Sequence, residues 1–192
     1  MTRTIFEKSD AIALVAEVFR ELGYEGASMS SITARTRLSK GSLYHFFPDG
    51  KEEMAAEIMA NIDAWFVTQM FRPLEEDEPR AAIALMWETT DTYFRSGRRI
   101  CLIGAFALDE TRDRFAGAIR GYFKRWIEAL AGALIRGGVK EAEAHALAEE
   151  AVVGIQGALM LARALGDDRV FGRALRRLKA KLGEAGPDQM LA

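Results

Sequence analysis

The sequence predicts an all-α protein of about nine helices, because apolar residues recur at helical spacing along most of the chain. No stretch alternates apolar and polar residues convincingly with period two, so we predict no sheet. With 192 residues and 49% apolar composition, the chain can bury a substantial core. The first helical stripe consists of Ala11, Val15, Val18, Phe19 and Leu22.

Two short helices are predicted after this first one, over 28–36 and 40–46. Gly23 is expected to end the first helix, because glycine tolerates the left-handed conformation of a helix C-terminus. Ser28 and Ser39 stand at the starts of the short helices, where a serine oxygen can accept a hydrogen bond from a backbone N–H of the first turn.

Longer helices are predicted beyond the turn at 48–50. Pro73 and Pro79 bracket an acidic segment, so one helix is expected to stop and another to begin there. Residues 183–192 are predicted to form a frayed tail. The predicted helical ranges are 51–71, 80–95, 100–110, 112–136, 141–165 and 169–182.

Positive charge is concentrated in one segment, although the formal net charge of the chain is -2. Residues 28–51 hold four basic side chains against Asp49, a net charge of +3 that leaves -5 for the remainder. Any nucleic-acid contact is therefore expected to be local. The basic residues are Arg35, Arg37, Lys40 and Lys51.

The two short helices and their tight connection have the dimensions of a helix-turn-helix, whose second helix enters the major groove of DNA. Lys40 is placed to donate to guanine acceptors, and Ser42 to donate or accept at either base type. Gly41 would let the backbone approach the DNA closely. Leu43 and Phe46 are expected to face the core.

Phosphate contacts are expected around this second helix, from Tyr44, His45 and Lys51 and from the free N–H groups that begin at Ser28. Serine-capped short helices also occur in helical proteins that bind no DNA, so spacing alone leaves that alternative open. The predicted DNA-binding residues are Ser28, Ser39, Lys40, Gly41, Ser42, Tyr44, His45 and Lys51.

Residues 11–54 closely resemble the DNA-binding domain of the TetR family of transcriptional regulators. The run from Ser39 to Phe46, SKGSLYHF, carries most of the resemblance, together with Phe19, Gly23-Tyr24, Ser28, Ile32 and Lys51-Glu52. Thr36-Arg37 stands where the family usually has Ala-Gly, so we expect a non-glycine residue in the left-handed conformation, at a cost of about 1 kcal/mol.

A second resemblance concerns the C-terminal half. The loop at 48–50 is one residue longer than the commonest family form, and residues 99–115 contain a Cys-Leu-x-Gly pattern. Both features are similar to the subgroup with an LmrA/YxaF-type C-terminal domain. This resemblance implies a helix-turn-helix DNA-binding domain over 1–50 and an effector-binding and dimerisation domain over 51–192.

The implied function is a regulator, expected to be a repressor, that binds palindromic operator DNA as a homodimer and is released by a small apolar or amphipathic effector. Aromatic residues at helical spacing suit a plain core as well as a ligand cavity, and Glu88 and Asp91 could meet a cationic ligand or simply be solvated. The candidate effector-binding residues are Trp87, Asp91, Phe94, Phe106, Phe123, Trp126, Gln156 and Met160.

The last two helices carry apolar stripes that predict a four-helix dimer interface or, alternatively, close the core of one chain. One stripe consists of Leu147, Ala151, Gly154, Ala158 and Leu165. The other consists of Phe171, Leu175, Leu178 and Leu182.

Enzymatic function is the main alternative from another class, and the sequence argues against it. The histidines are His45 and His145, Cys101 is the single cysteine, and there is no P-loop, G-x-S-x-G or dinucleotide fingerprint. We therefore expect no metal and no cofactor. The single cysteine and the lack of a long apolar stretch predict a cytoplasmic protein without a membrane contact. A helical ligand-binding protein that has lost DNA binding is a second alternative, left open by Thr36-Arg37.

Overall fold

The computed structural model describes residues 7–108 and 110–185, and every regular element in these residues is helical. A π-helical turn, Val67–Phe71, joins α4 to α5, so the described residues contain nine continuous helices, as predicted. The α-helices are α1 (Lys8–Gly26), α2 (Met29–Thr36), α3 (Lys40–Phe46), α4 (Lys51–Phe66), α5 (Arg72–Glu76), α6 (Pro79–Tyr93), α7 (Leu102–Ala107), α8 (Ala116–Arg136), α9 (Glu141–Leu165) and α10 (Arg169–Ala185).

The helices form two compact units. The N-terminal unit comprises the residues up to Asp63 together with Leu102–Ile119, and the C-terminal unit comprises Ala64–Cys101 and the residues from Arg120 onward. Helices α4 and α8 therefore each contribute residues to both units. The functional boundary after residue 50 stays a prediction.

The core of the N-terminal unit contains an aromatic cluster that joins α1 to α7. The ring centroid of Phe106 lies 6.0 Å from those of Phe19 and Phe115 and 6.1 Å from that of Tyr24. Phe106, one of the predicted effector-binding residues, is therefore buried in the core of the N-terminal unit, and its effector role stays a prediction.

Gly23, which was predicted to end the first helix, interrupts it with φ 71° and ψ 174°, and α1 continues to Gly26. The chain makes one further helical turn before α2, because the N–H of Ala27 donates to the carbonyls of Gly23 and Tyr24. At the other end of the chain, α10 continues to Ala185, so the predicted tail is helical over 183–185. The rest of that tail lies outside the described residues.

The helix that begins at Lys51 runs past Pro73 to Glu76, five residues beyond its predicted end, and α6 begins at Pro79, so the break between the two prolines is as predicted. The N–H of Arg72 bonds to the carbonyl of Val67, five residues back, so the turn before the proline is widened to the π form. A widened turn relieves the clash between a proline ring and the carbonyl four residues earlier, and the helix continues to Glu76.

The C-terminal unit has its own aromatic core. The ring of Phe66 lies at its centre, with centroid distances of 5.2 Å to Tyr122, 5.6 Å to Trp126 and 6.3 Å to Phe94. Phe71 packs 5.9 Å from the same ring. All of these side chains are fully buried. Phe94 and Trp126, two of the effector candidates, are therefore part of the packed core.

A left-handed turn follows α6, which ends two residues earlier than predicted. Arg95, Ser96 and Gly97 have φ values of 50°, 53° and 93°. The turn brings Gly97 against α10, where a Cβ on Gly97 would lie 2.6 Å from the Cβ of Phe171. Only glycine fits at this contact.

Most of the stripes predicted to form a dimer interface pack against each other within the chain. Phe171 and Leu182 are buried on α10, and a Cβ on Gly154 of α9 would lie 2.8 Å from Leu178. These residues pack within one chain, whereas Leu165 is 67% exposed, and the dimer stays a prediction. No helix in the described ranges is long and apolar enough to span a bilayer.

Candidate DNA-binding surface and effector groove

Serine oxygens cap both short helices, as predicted. Ser28 Oγ accepts from the N–H of Ser31 at 3.2 Å, and Ser39 Oγ accepts from the N–H of Ser42 at 3.0 Å. Each cap satisfies one of the four free N–H groups at a helix start. The start of α3 is therefore fixed locally, and further N–H groups stay available to an anion.

One face of α3 is exposed and polar. Lys40, Gly41, Tyr44 and His45 are all exposed on it, and the residues four apart, Lys40 with Tyr44 and Gly41 with His45, lie one above the other. The Nζ of Lys40 lies 5.8 Å from the ring centroid of Tyr44, within the range of a cation–π contact. Ser42 is half-buried beside this face.

The opposite face of α3 anchors it to the N-terminal unit. Leu43 is fully buried as predicted, but Phe46 is half-buried and Phe47 takes the buried position. The reason is the helix period, because Phe47 stands four residues after Leu43 and continues its face.

The predicted phosphate clamp Lys51 is engaged inside the unit. Its ammonium donates to the carbonyl oxygen of Tyr24 at 3.0 Å, lies 4.2 Å from the Tyr24 ring centroid and is 3.8 Å from the Glu25 carboxylate. These contacts tie the end of α1 to the start of α4. An ammonium has three N–H donors, so this arrangement leaves part of its capacity for a ligand.

Tyr24 also connects to a residue that the sequence did not single out. Its hydroxyl lies 3.4 Å from a guanidinium nitrogen of Arg114, which is 3.3 Å from the Glu52 carboxylate. Burial raises the pKa of the Tyr24 hydroxyl, and the positive charge of Arg114 opposes that rise. Arg114 stands just before α8, so it links the segment between α7 and α8 to the end of α1 and the start of α4.

In the C-terminal unit, a groove of about 520 Å³ runs between α6 and α10. It includes two of the predicted effector residues, Trp87 and Asp91. Phe123 and Gln156 are half-buried on α8 and α9. Met160 is 61% exposed on α9, and its assignment to the effector site stays a prediction. The groove is lined by Trp87, Glu88, Asp91, Thr92, Gly172, Leu175, Arg176 and Lys179.

The groove has walls of opposite charge. Glu88 and Asp91 stand on α6, and Arg176 and Lys179 stand on α10. The Asp91 carboxylate accepts from the Ser96 hydroxyl at 3.2 Å. Within the described chain, the other three have no ion-pair partner inside 4.0 Å. Trp87 supplies an apolar surface between the two walls.

Four buried polar atoms of the C-terminal unit have no hydrogen-bond partner among the described residues. Most buried polar atoms in proteins are paired, so a group of four in one unit calls for an explanation. None belongs to a metal site, since the described residues contain no cluster of metal-ligating side chains. The four atoms are Trp87 Nε1, Thr90 Oγ1, Trp126 Nε1 and Gln156 Nε2.

Two family models match the chain. Residues 12–58 match the model of bacterial regulatory proteins of the tetR family, and residues 79–177 match that of the LmrA/YxaF-like transcriptional regulator C-terminal domain. The chain belongs to the TetR family. This regulator is therefore not an enzyme but a helix-turn-helix transcription factor that binds operator DNA, with an LmrA/YxaF-like C-terminal domain.

Individual relatives agree with this assignment. The HTH-type transcriptional regulator YxaF of Bacillus subtilis is 29% identical over 151 residues, which cover 76% of this chain and 79% of YxaF. A TetR regulator from Legionella pneumophila has the same fold, with a TM-score of 0.78 at 20% identity over 93% of this chain and 99% of that one. The TetR family regulator CifR, in a complex with 26-bp double-strand operator DNA, has a TM-score of 0.69 at 22% identity over 94% and 99%.

Proposed function

We propose that this TetR-family regulator is a cytoplasmic repressor that binds palindromic operator DNA as a homodimer and is released by a small amphipathic effector. The observation that carries the effector part is the charged groove between α6 and α10, in a unit that also holds buried polar atoms without protein partners. The fold that the chain shares with operator-bound CifR supports the DNA part.

The exposed face of α3 is proposed to read the operator. Lys40 and Ser42 would contact base edges in the major groove, and Gly41 would allow close approach. Tyr44 and His45 would donate to phosphates, as would Lys51 with its remaining donors. The capped helix starts at Ser28 and Ser39 supply further backbone N–H groups for phosphate oxygens.

The homodimer is proposed to form through the outer face of α9. Val153 and Met160 are each more than 60% exposed and lie seven residues apart, which is about two helical turns, so they share the outer side of the helix. An exposed apolar stripe of this kind is typical of an interaction surface. A second copy satisfies both this stripe and the two-fold symmetry of a palindromic operator.

A substitution tests this interface directly. We expect Met160→Glu to convert the protein to a monomer by light scattering and to weaken operator binding, while the helical content stays unchanged. Leu85→Glu, at an exposed apolar position on α6, is the matched control and should leave the dimer intact. A Met160→Glu protein that remains dimeric would exclude the outer face of α9.

The effector is proposed to be an amphipathic molecule. The groove volume lies within the usual range for small-molecule sites, and Trp87 offers an apolar surface to the body of a ligand. Glu88 and Asp91 favour a positively charged group on one side. The unpaired indole and amide N–H groups of the unit favour hydrogen-bond acceptors elsewhere on the ligand.

Helix α4 is proposed to couple effector to operator, because it begins at Lys51 in the N-terminal unit and ends at Phe66 in the C-terminal unit. A displacement of α4 would change the separation of the two α3 helices in the dimer. Both half-sites can be engaged together only when that separation is about 34 to 36 Å or a multiple of it.

The decisive experiment starts with selection of bound fragments from random DNA, which identifies the operator. Effector affinity is then measured by calorimetry with and without saturating operator. Linkage requires operator to lower effector affinity by the same factor by which effector lowers operator affinity, typically about 5- to 150-fold. Equal effector affinities in the two measurements would show that the protein is not a ligand-released repressor.

A further inference from the structure

Arg37 has an unfavourable backbone conformation in the turn between α2 and α3. Its φ of 61° and ψ of 15° are left-handed, as the sequence predicted, and the residue is exposed. The left-handed region is costly for a residue with a Cβ, and glycine adopts it freely. A side chain kept at such a position suggests that the side chain itself has a function.

The charges around this turn show which cations are available to DNA. The Arg35 guanidinium is paired with the Glu21 carboxylate, and the Lys51 ammonium donates to a backbone carbonyl. Lys40 lies over the Tyr44 ring. The Arg37 guanidinium has no hydrogen bond or ion pair with any described residue. Of the four basic residues in 28–51, Arg37 is therefore the one whose charged group makes the fewest contacts with the described residues.

The turn also holds Arg37 firmly and close to α3. Thr36 Oγ1 donates to the Ile32 carbonyl at 2.7 Å and accepts from the Leu38 N–H at 3.2 Å, while the Arg37 N–H donates to the Thr33 carbonyl at 3.0 Å. The side chain therefore extends from an ordered backbone.

The distance to DNA phosphates follows from the chain length. Arg37 precedes Lys40 by three residues, so their Cα atoms are at most about 11 Å apart. Phosphates border the major groove, which is about 12 Å wide. With α3 in the groove, a long side chain at position 37 is within reach of one bordering phosphate row.

We propose that Arg37 binds a DNA phosphate and that the chain tolerates its strained backbone because of this contact. Glycine at this position would relax the backbone and remove the charge. Folding stability and DNA affinity should therefore move in opposite directions in Arg37→Gly.

The test uses the full-length protein and a random-sequence duplex of about 30 base pairs, because non-specific binding is dominated by phosphate contacts. We expect Arg37→Gly to raise the thermal unfolding midpoint by about 2 to 4 °C. The slope of log binding constant against log salt concentration should become shallower by about 0.9 for each phosphate that the protein no longer neutralises. The bases preferred in fragment selection should not change.

Two further variants separate the effect of the charge at position 37 from the effects of a nearby charge and of the backbone strain. Arg35→Gln removes a paired cation two residues away and should leave the salt slope unchanged, whereas Arg37→Lys should retain most of the slope without a rise in the unfolding midpoint. An unchanged slope in Arg37→Gly, or an equally shallow slope in Arg35→Gln, would overturn the phosphate contact. An unfolding midpoint that does not rise in Arg37→Gly would overturn the role of strain.

Discussion

Two turns of the molecule, one in each unit, are held in place by different means. In the N-terminal unit, α2 and α3 begin at serine caps that bond to N–H groups three residues away. In the C-terminal unit, the turn after α6 depends on contact between Gly97 and Phe171, which are far apart in the sequence. Local side chains therefore fix the starts of the helices proposed to bind DNA, whereas tertiary packing fixes the turn that follows α6.

The largest effect that tests this contrast is expected at the tertiary contact. Gly97→Ala should lower the free energy of unfolding by about 3 kcal/mol, because it adds a methyl group against Phe171 and strains a backbone with φ 93°. Urea unfolding measures the change. Gly121→Ala on α8, with no atom within 4 Å of the added methyl, should instead stabilise by up to about 1 kcal/mol. Similar values for the two variants would show that the turn after α6 does not depend on the contact between Gly97 and Phe171.

The next effect concerns operator binding by the locally defined surface. Lys40→Ala should cost about 1 to 3 kcal/mol in binding free energy on the best operator and relax base preference at one position of each half-site. Binding to a set of operator variants measures both quantities. Lys124→Ala, at an exposed lysine on α8, is the control and should change neither. A uniform loss across sequences would make Lys40 a phosphate contact.

A smaller effect is expected at the cap of α3. Ser39→Ala should lower the free energy of unfolding by about 1 kcal/mol, because the Ser42 N–H loses its acceptor. Ser39→Asp keeps an acceptor at the cap and should preserve stability, while its negative charge should weaken DNA binding. If the alanine variant is as stable as the wild type, the local cap does not set the start of α3.

The smallest effect is a pH dependence at a local cap in the C-terminal unit. Backbone N–H groups of Ala81 and Arg80 donate to the Glu78 carboxylate and hold the pKa of that carboxyl below its ordinary value of 4.5. Because the folded pKa is lowered, this stabilisation is present above pH 4.5 and is lost as the pH falls through the folded value. The advantage of the wild type over Glu78→Gln in thermal midpoint should therefore shrink below pH 4.5. A constant difference would exclude the carboxylate cap.

The sequence predicted features that depend on neighbouring residues better than features that depend on tertiary contacts. The bounds of α3 and α9 are those predicted, and Arg37 is left-handed as expected. The packing of Phe106 against Phe19 and Tyr24 was not predicted, because periodicity identifies an apolar face without identifying the helix that covers it. The helix continues through Pro73 because a π turn precedes it, and no residue type signals that turn in advance.

The sequence by itself determined the helical class, the capped helix-turn-helix and the family, since these depend on residues within a few positions of one another. Only the tertiary structure decided that the inner stripes of α9 and α10 close one chain and that Val153 and Met160 stay exposed. It also decided that the Lys51 ammonium donates to the Tyr24 carbonyl oxygen, whereas the Arg37 guanidinium makes no hydrogen bond or ion pair with a described residue. The physical reason is that burial and ion pairing depend on which distant segments meet, and a one-dimensional pattern of apolar and charged residues is compatible with several such pairings.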